Sequence, residues 1–386
     1  MPADDETFFQ LLQKAGYSTA HIGKSHYYEH HSGKHLKEYE GYMHARGLDY
    51  VHETTGPYAT MHTGSYMTDE WEKKGLWEKF RQDYRERAQA HGGMARPSPL
   101  PVEDFPDSYV GRKTVEYIEQ YKSEKPMCLF VGFGGPHDPW DAPGEYATMY
   151  DPKKSPKPIP VSPGISSLPE FIRSKRDYQL KAPSVLENAP AIRANYYGKI
   201  ALVDLWFGKI MQAFASRGWL DDLLIVHWSD HGEMLCDHGL IHKSVFYESS
   251  VRVPLTLRWP GKIPAGTSTD ALAETIDVFP TLLEAAGCAP SRRCVGRSLW
   301  PVFKNPEAPL RDWQLGEIQH GDRRMMLRSQ RYKYAVDEQA RGYMLFDLQN
   351  DPLEQYNLIA SGKSSVLEKE MREALTKRLI ESQYTM

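Results

Sequence analysis

Two short apolar runs in this chain are each followed directly by a polar cluster. The runs are MCLFVGF and LLIVHW, which begin at Met127 and Leu223. They contain too few polar residues to have one solvent-exposed face and one buried face. Such strands are typical of a parallel sheet that helices cover on both sides. The runs therefore predict an α/β fold with a mostly parallel sheet.

Helical periodicity separates the runs, as the crossovers of a parallel sheet require. It predicts helices over residues 6–15, 108–123 and 191–217 and further strands over residues 17–23 and 253–259. The last of these helices is predicted to bury one apolar face, made of Ile200, Val203, Phe207, Met211 and Phe214. Residues 27–106 are rich in His, Gly, Tyr and charge, which predicts an irregular excursion.

The domain organisation follows from length and from a change of pattern. At 386 residues the chain exceeds what one hydrophobic core usually holds. Beyond Arg311 the segments RMMLRSQRYKYAVD and GYMLFDLQ predict paired antiparallel strands, and residues 364–382 predict a closing helix. We therefore predict a large α/β domain over residues 1–305 and a small α+β subdomain over residues 306–386.

Composition excludes several classes of partner. With 47 basic and 51 acidic residues and a net charge of −4, the chain shows no basic block of the kind that binds nucleic acid. No apolar run approaches the ~20 residues of a transmembrane helix, and the start MPADDETFFQ lacks the pattern of a signal peptide. Four cysteines without paired or zinc-finger spacing predict no disulfide framework and leave the redox compartment open.

Three polar clusters lie at predicted strand exits. They are GKSH at Gly23–His26, GGPHDPW at Gly134–Trp140 and SDHGEMLCDHGLIHK at Ser229–Lys243. Taken singly, each also fits an ordinary role, such as a surface charge, a loop histidine or a turn-forming aspartate. Ligands of open α/β sheets bind beyond the carboxyl ends of the strands. Together the clusters predict three loops that converge on one pocket.

Asp230 and His231 stand directly behind an apolar strand, and we favour metal binding for this pair. A carboxylate and an imidazole without a thiolate suit Ca²⁺, Mg²⁺, Mn²⁺ or Zn²⁺. Lys24 and His26 are two residues apart and point the same way in extended backbone, which places a fixed cation beside a candidate general acid. Cation, acid and metal together suit the hydrolysis of an anionic ester.

The order of six segments resembles the type I sulfatase family of the alkaline phosphatase superfamily. The segments are AGYSTAHIGKSH, GGPHDPW, SDHGEMLCDHGLIHK, RVPLTLRWPGKIPAG, DVFPTLLEAAG and the pair RYKYAVD and LFDLQNDPLEQYNL. The resemblance runs nearly from end to end. It implies a sulfuric ester hydrolase with an alkaline phosphatase-like α/β domain, followed by a small antiparallel sheet with a C-terminal helix.

The resemblance also implies ligands for a metal ion and for the sulfate group. Asp230 and His231 are similar to the metal-binding pair that closes a Ca²⁺ site, with Mg²⁺ or Mn²⁺ as less favoured ions. Lys24 and Lys243 resemble lysines that hold the sulfate. These four residues are therefore expected to stabilise negative charge on the substrate.

Histidines complete the set that the resemblance implies. His26 resembles the residue that handles the proton of the nucleophile, and His137 the one that assists the leaving group. His238 and His242 are interpreted as substrate contacts and Glu233 as structural, with the opposite interpretation of each left open. The acid–base chemistry is thus expected from His26 after the first predicted strand and from His137 after the second.

One part of the family pattern is not found. The family begins with a strand carrying two metal-binding aspartates, followed by CxPxR, whose cysteine is converted to a formylglycine nucleophile. This sequence starts after that point, so we interpret it as N-terminally truncated and expect negligible sulfatase activity from it as written. Asp4 and Asp5 are interpreted as charges at a helix N-terminus.

The stretch CAPSR, Cys288–Arg292, fits CxPxR in its letters. Cys288 follows a predicted helix that Gly287 ends, and so lies at the negative end of the helix dipole. An anionic nucleophile favours the positive end. We therefore interpret the match as a coincidence.

Three functions stay open. The favoured one is a sulfatase for a small-molecule or carbohydrate sulfate ester, since Trp140 and the aromatic residues of 27–84 suit stacking on a sugar ring. The alternatives are a non-catalytic remnant that binds anions and a phosphomonoester or phosphodiester hydrolase of the same superfamily. The predicted site has lysines and not a second complete metal site. This favours a singly charged sulfate ester over a phosphate ester as the substrate. The resemblance further suggests a periplasmic or secreted protein, and it leaves the oligomeric state unknown.

Overall fold

A computed structural model describes residues 6–89, 93–163, 168–179, 184–289, 294–320, 322–361 and 365–382. The chain divides into two units: a first unit of Met1–Lys157 and Lys181–Asp221, and a second unit of Pro158–Leu180 and Asp222–Met386. This division differs from the domain boundary predicted between residues 305 and 306. That boundary stays a prediction.

The described residues contain helices and strands in alternation through the first part of the chain and mainly strands later. The helices are α1 (Phe8–Lys14), α2 (Glu40–Ala45), α3 (Tyr66–Lys73), α4 (Trp77–Gln89), α5 (Pro106–Gln120), α6 (Glu170–Gln179), α7 (Ser184–Glu187), α8 (Ala189–Ser216), α9 (Glu248–Val251), α10 (Val278–Ala285), α11 (Trp300–Lys304) and α12 (Ser365–Glu381). The strands are β1 (Ser18–Lys24), β2 (Tyr50–Thr54), β3 (Met127–Gly132), β4 (Ile225–Trp228), β5 (Leu255–Arg258), β6 (Gln314–His320), β7 (Asp322–Arg328), β8 (Tyr332–Val336) and β9 (Gly342–Asp347).

Local sequence sets the ends of α1. The Thr7 hydroxyl accepts the N–H of Gln10, and the Gln10 side chain accepts the N–H of Thr7, which is a capping box. Past the last turn, Gly16 adopts a φ of +93°, a conformation that glycine reaches without strain. The helix predicted over residues 6–15 is confirmed, and β1 follows it directly.

The sheet of the first unit is parallel throughout and has the strand order β2–β1–β3. The central strand is the most deeply buried, and Ile22 on it is inaccessible to solvent. Near its end, Gly23 pairs with Gly132 of β3 and Lys24 pairs with Thr54 of β2. All three strands therefore end at the same edge. The predicted parallel sheet is confirmed in this unit.

The region predicted to be irregular, residues 27–106, contains β2 and the helices α2 to α4. Met67 and Trp71 lie one helical turn apart and are buried, as are Phe80 and Tyr84. Both α3 and α4 thus present an apolar face to the core. The prediction was wrong because charged residues and rings with polar tips surround these four positions and hide the helical period in the sequence.

Helix α8 has 28 residues and buries a different face from the predicted one. Phe214 is buried as predicted, but Ile200 and Phe207 are 42% and 36% exposed. Leu202 and Ile210 lie on the buried face instead. Periodicity cannot select one face of a helix that is apolar around most of its surface. No helix in the described ranges is both long and apolar enough to cross a bilayer.

The second unit contains antiparallel sheets. β4 pairs with β5 in an antiparallel manner, whereas the strand pattern predicted parallel pairing. β6 to β9 form a four-stranded antiparallel sheet in sequential order, and α12 packs on it through Met371 and Leu375. The predicted C-terminal sheet and closing helix are confirmed. β6 was not predicted, because QLGEIQH shows no apolar alternation.

A buried ion pair joins separate segments of the second unit. Asp277 is inaccessible to solvent, and Nη1 and Nη2 of Arg311 donate to its two carboxylate oxygens at 2.5 and 2.6 Å. The backbone N–H groups of Glu274 and Arg297 donate to the same carboxylate at 2.7 and 2.8 Å. Four hydrogen bonds therefore satisfy the buried charge, and they connect the start of α10 to the chain before β6.

We expect Arg311→Met to lower the free energy of unfolding by about 3–5 kcal/mol, because it leaves the Asp277 carboxylate buried without a cation. The control is Arg323→Met, which breaks an exposed 2.9 Å pair with Glu317 and should cost at most about 1 kcal/mol. Urea unfolding followed by circular dichroism at neutral pH measures both changes. Equal losses from the two variants would contradict the importance of the buried pair.

Candidate functional site

β1 and β3 end in close contact at the edge that carries the first polar cluster. Gly23 has a φ of +102°, and a Cβ on it would lie 2.1 Å from the carbonyl oxygen of Gly132. A Cβ on Gly132 would lie 2.2 Å from the carbonyl oxygen of Lys24. Only glycine fits at both positions. Lys24, which is half-buried, therefore stands beside the loop that follows β3.

Glu53, near the end of β2, is buried and holds the loop after β1. Its carboxylate accepts hydrogen bonds from the hydroxyls of Ser25 and Tyr28, and His30 Nε2 lies 3.6 Å from Oε1. Burial acts to raise the pKa of Glu53, but His30, Ser25 and Tyr28 outweigh burial and keep this pKa below its usual value. The exposed ring of His26 lies 6.1 Å from that of His30. Glu53 thus fixes the loop that carries His26.

His137 lies in the loop after β3, at the same edge of the sheet. Its Nδ1 is 2.6 Å from the backbone oxygen of Asp138 and 3.1 Å from Oδ1, so Nδ1 is the donor nitrogen. The Tyr58 hydroxyl, from the loop after β2, donates to Asp138 Oδ2 at 2.7 Å. The Tyr58 ring also lies 6.4 Å from the ring of His137. The structure thus brings Lys24, His26 and His137 to one edge of the first unit.

Lys199 of α8 holds the His137 loop from the interior. Its ammonium donates to the carbonyl oxygens of His137 at 2.7 Å and Pro139 at 3.1 Å and to Asp141 Oδ1 at 2.8 Å. Lys199 is 2% exposed and Asp141 is fully buried, so these acceptors replace water around the charge. Sequence reasoning missed this lysine because it belongs to no motif and stands within an apolar helix.

Trp140 was predicted to contact a sugar ring, and its position contradicts that prediction. The side chain is inaccessible to solvent, with its ring 6.2 Å from that of Tyr196. Its carbonyl oxygen accepts hydrogen bonds from Arg87 Nη1 and from the N–H of Arg96, each at 3.2 Å. An indole packed in this way is a core residue, because no face of it is open to a ligand.

Asp230 and His231 follow β4 in the second unit, at the predicted strand exit. Their side chains are 65% and 33% exposed. Asp230 Oδ1 accepts the N–H of His231 at 3.0 Å, and Oδ2 lies 3.6 Å from His231 Nε2. His231 Nδ1 lies 2.8 Å from the carbonyl oxygen of Gly232. Donation from Nδ1 to that carbonyl leaves Nε2 as the nitrogen suited to a metal ion.

The chemistry of this pair suits a divalent cation, because a carboxylate and an imidazole stand side by side. Within the described ranges, no group of three or more His, Cys, Asp and Glu side chains is placed to hold a metal ion. Ca²⁺ takes six to eight oxygen-rich ligands. The pair therefore fits as two ligands of such a site and does not form a complete one.

Glu233 organises the polar segment that ends at Lys243. Its Oε1 accepts the N–H of His242 and, at 3.3 Å, the N–H of Leu235. Both His242 and Lys243 are half-buried. Glu233 therefore acts on the backbone of this segment, which is a structural role, and the roles of His242 and Lys243 stay predictions.

His238 was predicted to contact substrate, and its environment contradicts that prediction. The side chain is inaccessible to solvent, and its ring stacks on that of Tyr247 with centroids 3.9 Å apart. Burial lowers the pKa of His238 to about 4, which keeps the imidazole neutral at pH 7. Its backbone N–H donates to the carbonyl oxygen of Ile159 at 2.9 Å. The imidazole is thus part of the interior of the second unit.

Cys288 lies beyond the carboxyl end of α10, as predicted. The helix ends at Ala285, Gly287 has a φ of +70°, and Cys288 Sγ lies 3.8 Å from the carbonyl oxygen of Ala286. Carbonyl oxygens and the negative end of a helix dipole disfavour a thiolate. Residues 290–293, which include the rest of the CAPSR stretch after Ala289, lie outside the described residues.

Two family models match the chain. Residues 1–288 match the model described as Sulfatase. Residues 236–381 match the model described as N-sulphoglucosamine sulphohydrolase, C-terminal. The two matches overlap, and together they extend through both units.

Relatives with known names cover nearly the whole chain. The arylsulfatase of Clostridium perfringens is 28% identical over 385 residues, which span 97% of this chain and 78% of the relative. The N-acetylglucosamine-6-O-sulfatase of Bacteroides thetaiotaomicron is 25% identical over 444 aligned positions, which span 96% of this chain and 72% of the relative. A solved structure of a protein with its substrate D-glucosamine-2-N,6-O-disulfate has a TM-score of 0.71 and 19% identity, and the match covers 99% of this chain and 83% of that one.

We expect Glu53→Gln to lower the free energy of unfolding at pH 7 by about 1.5–3 kcal/mol, the range for hydrogen bonds to a charged group. The folded pKa of Glu53 lies below its unfolded value. Its stabilisation is therefore complete above the unfolded pKa and is lost as pH falls through the folded pKa. The difference between wild type and variant should shrink below about pH 4.3, the usual pKa of a glutamate.

Urea unfolding at a series of pH values measures this difference. The matched control is Glu72→Gln, a substitution of an exposed glutamate on α3, which should change the free energy of unfolding by less than about 0.5 kcal/mol. A loss from Glu53→Gln that persists unchanged in acid would contradict an ionised Glu53.

Proposed function

The chain belongs to the sulfatase family, whose members hydrolyse sulfuric esters, and we propose that it acts on a carbohydrate sulfate. The observation that carries this proposal is the match of residues 236–381 to a family named for a sulfated amino sugar. The relative from Bacteroides thetaiotaomicron bears the name of a 6-O-sulfatase of N-acetylglucosamine, which supports the same class of substrate. A sugar sulfate also offers the single negative charge per ester that a lysine can neutralise.

In the first unit we assign one residue to charge stabilisation and two to proton transfer. Lys24 binds a sulfate oxygen, His26 handles the proton of the attacking nucleophile, and His137 assists departure of the sugar oxygen. The half-buried position of Lys24 supports its role, because water screens its charge less there than at the surface. Asp138 orients the ring of His137, and Lys199 anchors the loop.

In the second unit Asp230 and His231 would supply two ligands of a Ca²⁺ ion, with Mg²⁺ or Mn²⁺ less suited. The ion, when bound, stabilises negative charge on the sulfate oxygens. Lys243 holds a sulfate oxygen, and His242 contacts the substrate. The family nucleophile, formylglycine, is assigned to no residue described here, and Cys288 is not given that role because of its place at a helix carboxyl end.

We also propose a periplasmic or secreted location, which the family resemblance supports. Immunodetection of the native protein after cell fractionation tests this. Recovery of the protein from the cytoplasmic fraction alone would contradict the proposal.

We expect CaCl₂ to raise the melting temperature of the wild type, relative to a sample with chelator, and Asp230→Ala to remove most of this rise. A ligand that binds the folded state at about 100 times its Kd stabilises it by about 2.7 kcal/mol. Differential scanning fluorimetry measures the shift. The control is Asp222→Ala, a substitution of an exposed aspartate that precedes β4, and it should keep the full rise. A rise that survives Asp230→Ala would contradict the assigned ligand.

We expect Lys243→Met to weaken the binding of N-acetylglucosamine 6-sulfate about 10- to 100-fold, because a lost charge-assisted hydrogen bond costs about 1.5–3 kcal/mol. Binding requires no nucleophile, so isothermal titration calorimetry reports on the lysine alone. Lys262→Met, at an exposed lysine of the same unit, should leave the affinity unchanged. Equal affinities of wild type and Lys243→Met would contradict the role of Lys243.

Hydrolysis itself is tested by the release of inorganic sulfate from the same sugar, measured by ion chromatography. Because no described residue is assigned as the nucleophile, we expect little or no release of sulfate. Cys288→Ala should not lower any rate that is measured, because the thiol lies at the wrong end of its helix to act as an anionic nucleophile. A rate that falls in this variant would make Cys288 the nucleophile after all. Faster release of phosphate from N-acetylglucosamine 6-phosphate would favour the phosphoester hydrolase instead.

A further inference from the structure

Helix α6 lies against the polar segment that follows β4. Gln179 Nε2 donates to the carbonyl oxygen of Ile241 at 2.9 Å, and the N–H of Ile241 donates to Gln179 Oε1 at 3.1 Å. One turn earlier, the ammonium of Lys175 donates to the carbonyl oxygen of Lys243. Residues four apart share one face of a helix. This face of α6 is therefore fixed alongside the segment, and none of the roles assigned above uses it.

Lys175 lies close to two other cations and to one carboxylate. Glu233 attracts its ammonium, while Arg324 of β7 and Lys243 repel it. Burial, together with these two cations, lowers the pKa of Lys175 to about 8 despite Glu233. The Glu233 carboxylate is also shared with the backbone N–H of His242. Among the described groups that act on Lys175, two are cations and one is a carboxylate that is already engaged, which is an environment that suits an additional anion.

Arg324 has donor capacity that the described residues leave unused. It is 8% exposed, and its Nε is buried without a hydrogen-bond partner among them. Its guanidinium lies over the ring of Phe171, 4.1 Å from the centroid, and Phe171 stands one turn before Lys175 on α6. A buried donor without an acceptor costs free energy. The planar guanidinium suits the paired oxygens of a sulfate or carboxylate.

We propose that Lys175 and Arg324 form a second anion subsite beside Lys243, and that it binds a second sulfate or carboxylate group of the sugar substrate. This inference rests on the proposed role of Lys243 in holding the sulfate that is hydrolysed. Lys175 is hydrogen-bonded to the backbone of Lys243, so neighbouring residues hold the two anionic groups. A substrate with one anionic group leaves the second subsite unpaired. The subsite therefore selects sugar units that carry two acidic groups.

Isothermal titration calorimetry on the full chain tests the subsite with three probes that share a 6-sulfate. N-acetylglucosamine 6-sulfate has no second anion, N-sulfoglucosamine 6-sulfate has a second sulfate, and N-malonylglucosamine 6-sulfate has a carboxylate. We expect at least one dianionic probe to bind about tenfold or more tightly than the N-acetyl probe. The larger gain identifies the second group as sulfate or carboxylate. Equal affinities for all three probes would overturn the proposal.

Lys175→Met should remove this preference, so that the dianionic probes bind no more tightly than the N-acetyl probe does. Lys175→Arg keeps the positive charge and should retain the preference, which keeps the test decisive if the methionine variant does not fold. The control is Arg173→Gln on the same helix, where the arginine side chain is 46% exposed, and it should behave as the wild type does. A folded Lys175→Met protein that still prefers a dianionic probe would refute the subsite.

Lys243→Met separates this inference from the proposed function. If Lys243 holds the shared 6-sulfate, the variant weakens all three probes and preserves the ratio between them. If the variant leaves the affinity for the N-acetyl probe unchanged, the proposed role of Lys243 fails. The subsite is judged by the ratio between dianionic and N-acetyl probes alone, so the two failures are distinguishable.

Discussion

The parallel pairing of β1 with β2 and β3 is the constraint on which the first group of site residues depends. These parallel strands end at the same edge of the sheet, so the loops after Lys24, Thr54 and Gly132 start side by side. The loops with the reactive side chains therefore start at positions that backbone hydrogen bonds between the strands set. Contacts among the site residues do not set these positions. A few hydrogen bonds between loops, such as the one from Tyr58 to Asp138, are then enough to hold the loop conformations.

The strongest of these hydrogen bonds involve buried charged side chains. Glu53 accepts a hydrogen bond from the hydroxyl of Ser25, and Lys199 donates one to the carbonyl oxygen of His137. In each case the two residues belong to elements that are far apart in sequence. A buried charge holds its partners in a narrow geometry, because losing any of them leaves the charge unpaired. Loops held in this way suit catalysis that relies on preorganised groups. The sequence could not reveal either residue, since nothing near it in the chain marks its partner.

Sequence reasoning succeeded where the signal was local. An apolar run followed by a polar cluster marks a strand exit, and Lys24 and Asp230 lie at such exits in the structure. It failed where burial decides the outcome. Trp140 and His238 were given substrate contacts from their residue types, but both lie in the interior, where packing from distant segments covers them. The same cause hid α3 and α4, whose apolar faces become evident only against the core that they cover.

The contact between Gly23 and Gly132 limits how this edge of the sheet can change over evolution. Each glycine faces a backbone oxygen and not the other's side chain, so a substitution at one position cannot be compensated at the other. Any Cβ at either position forces the strands apart and shifts Lys24 together with the His137 loop. The two glycine positions therefore cannot change. The sequences of the substrate-contacting loops can vary more as their distance from these glycines along the chain increases.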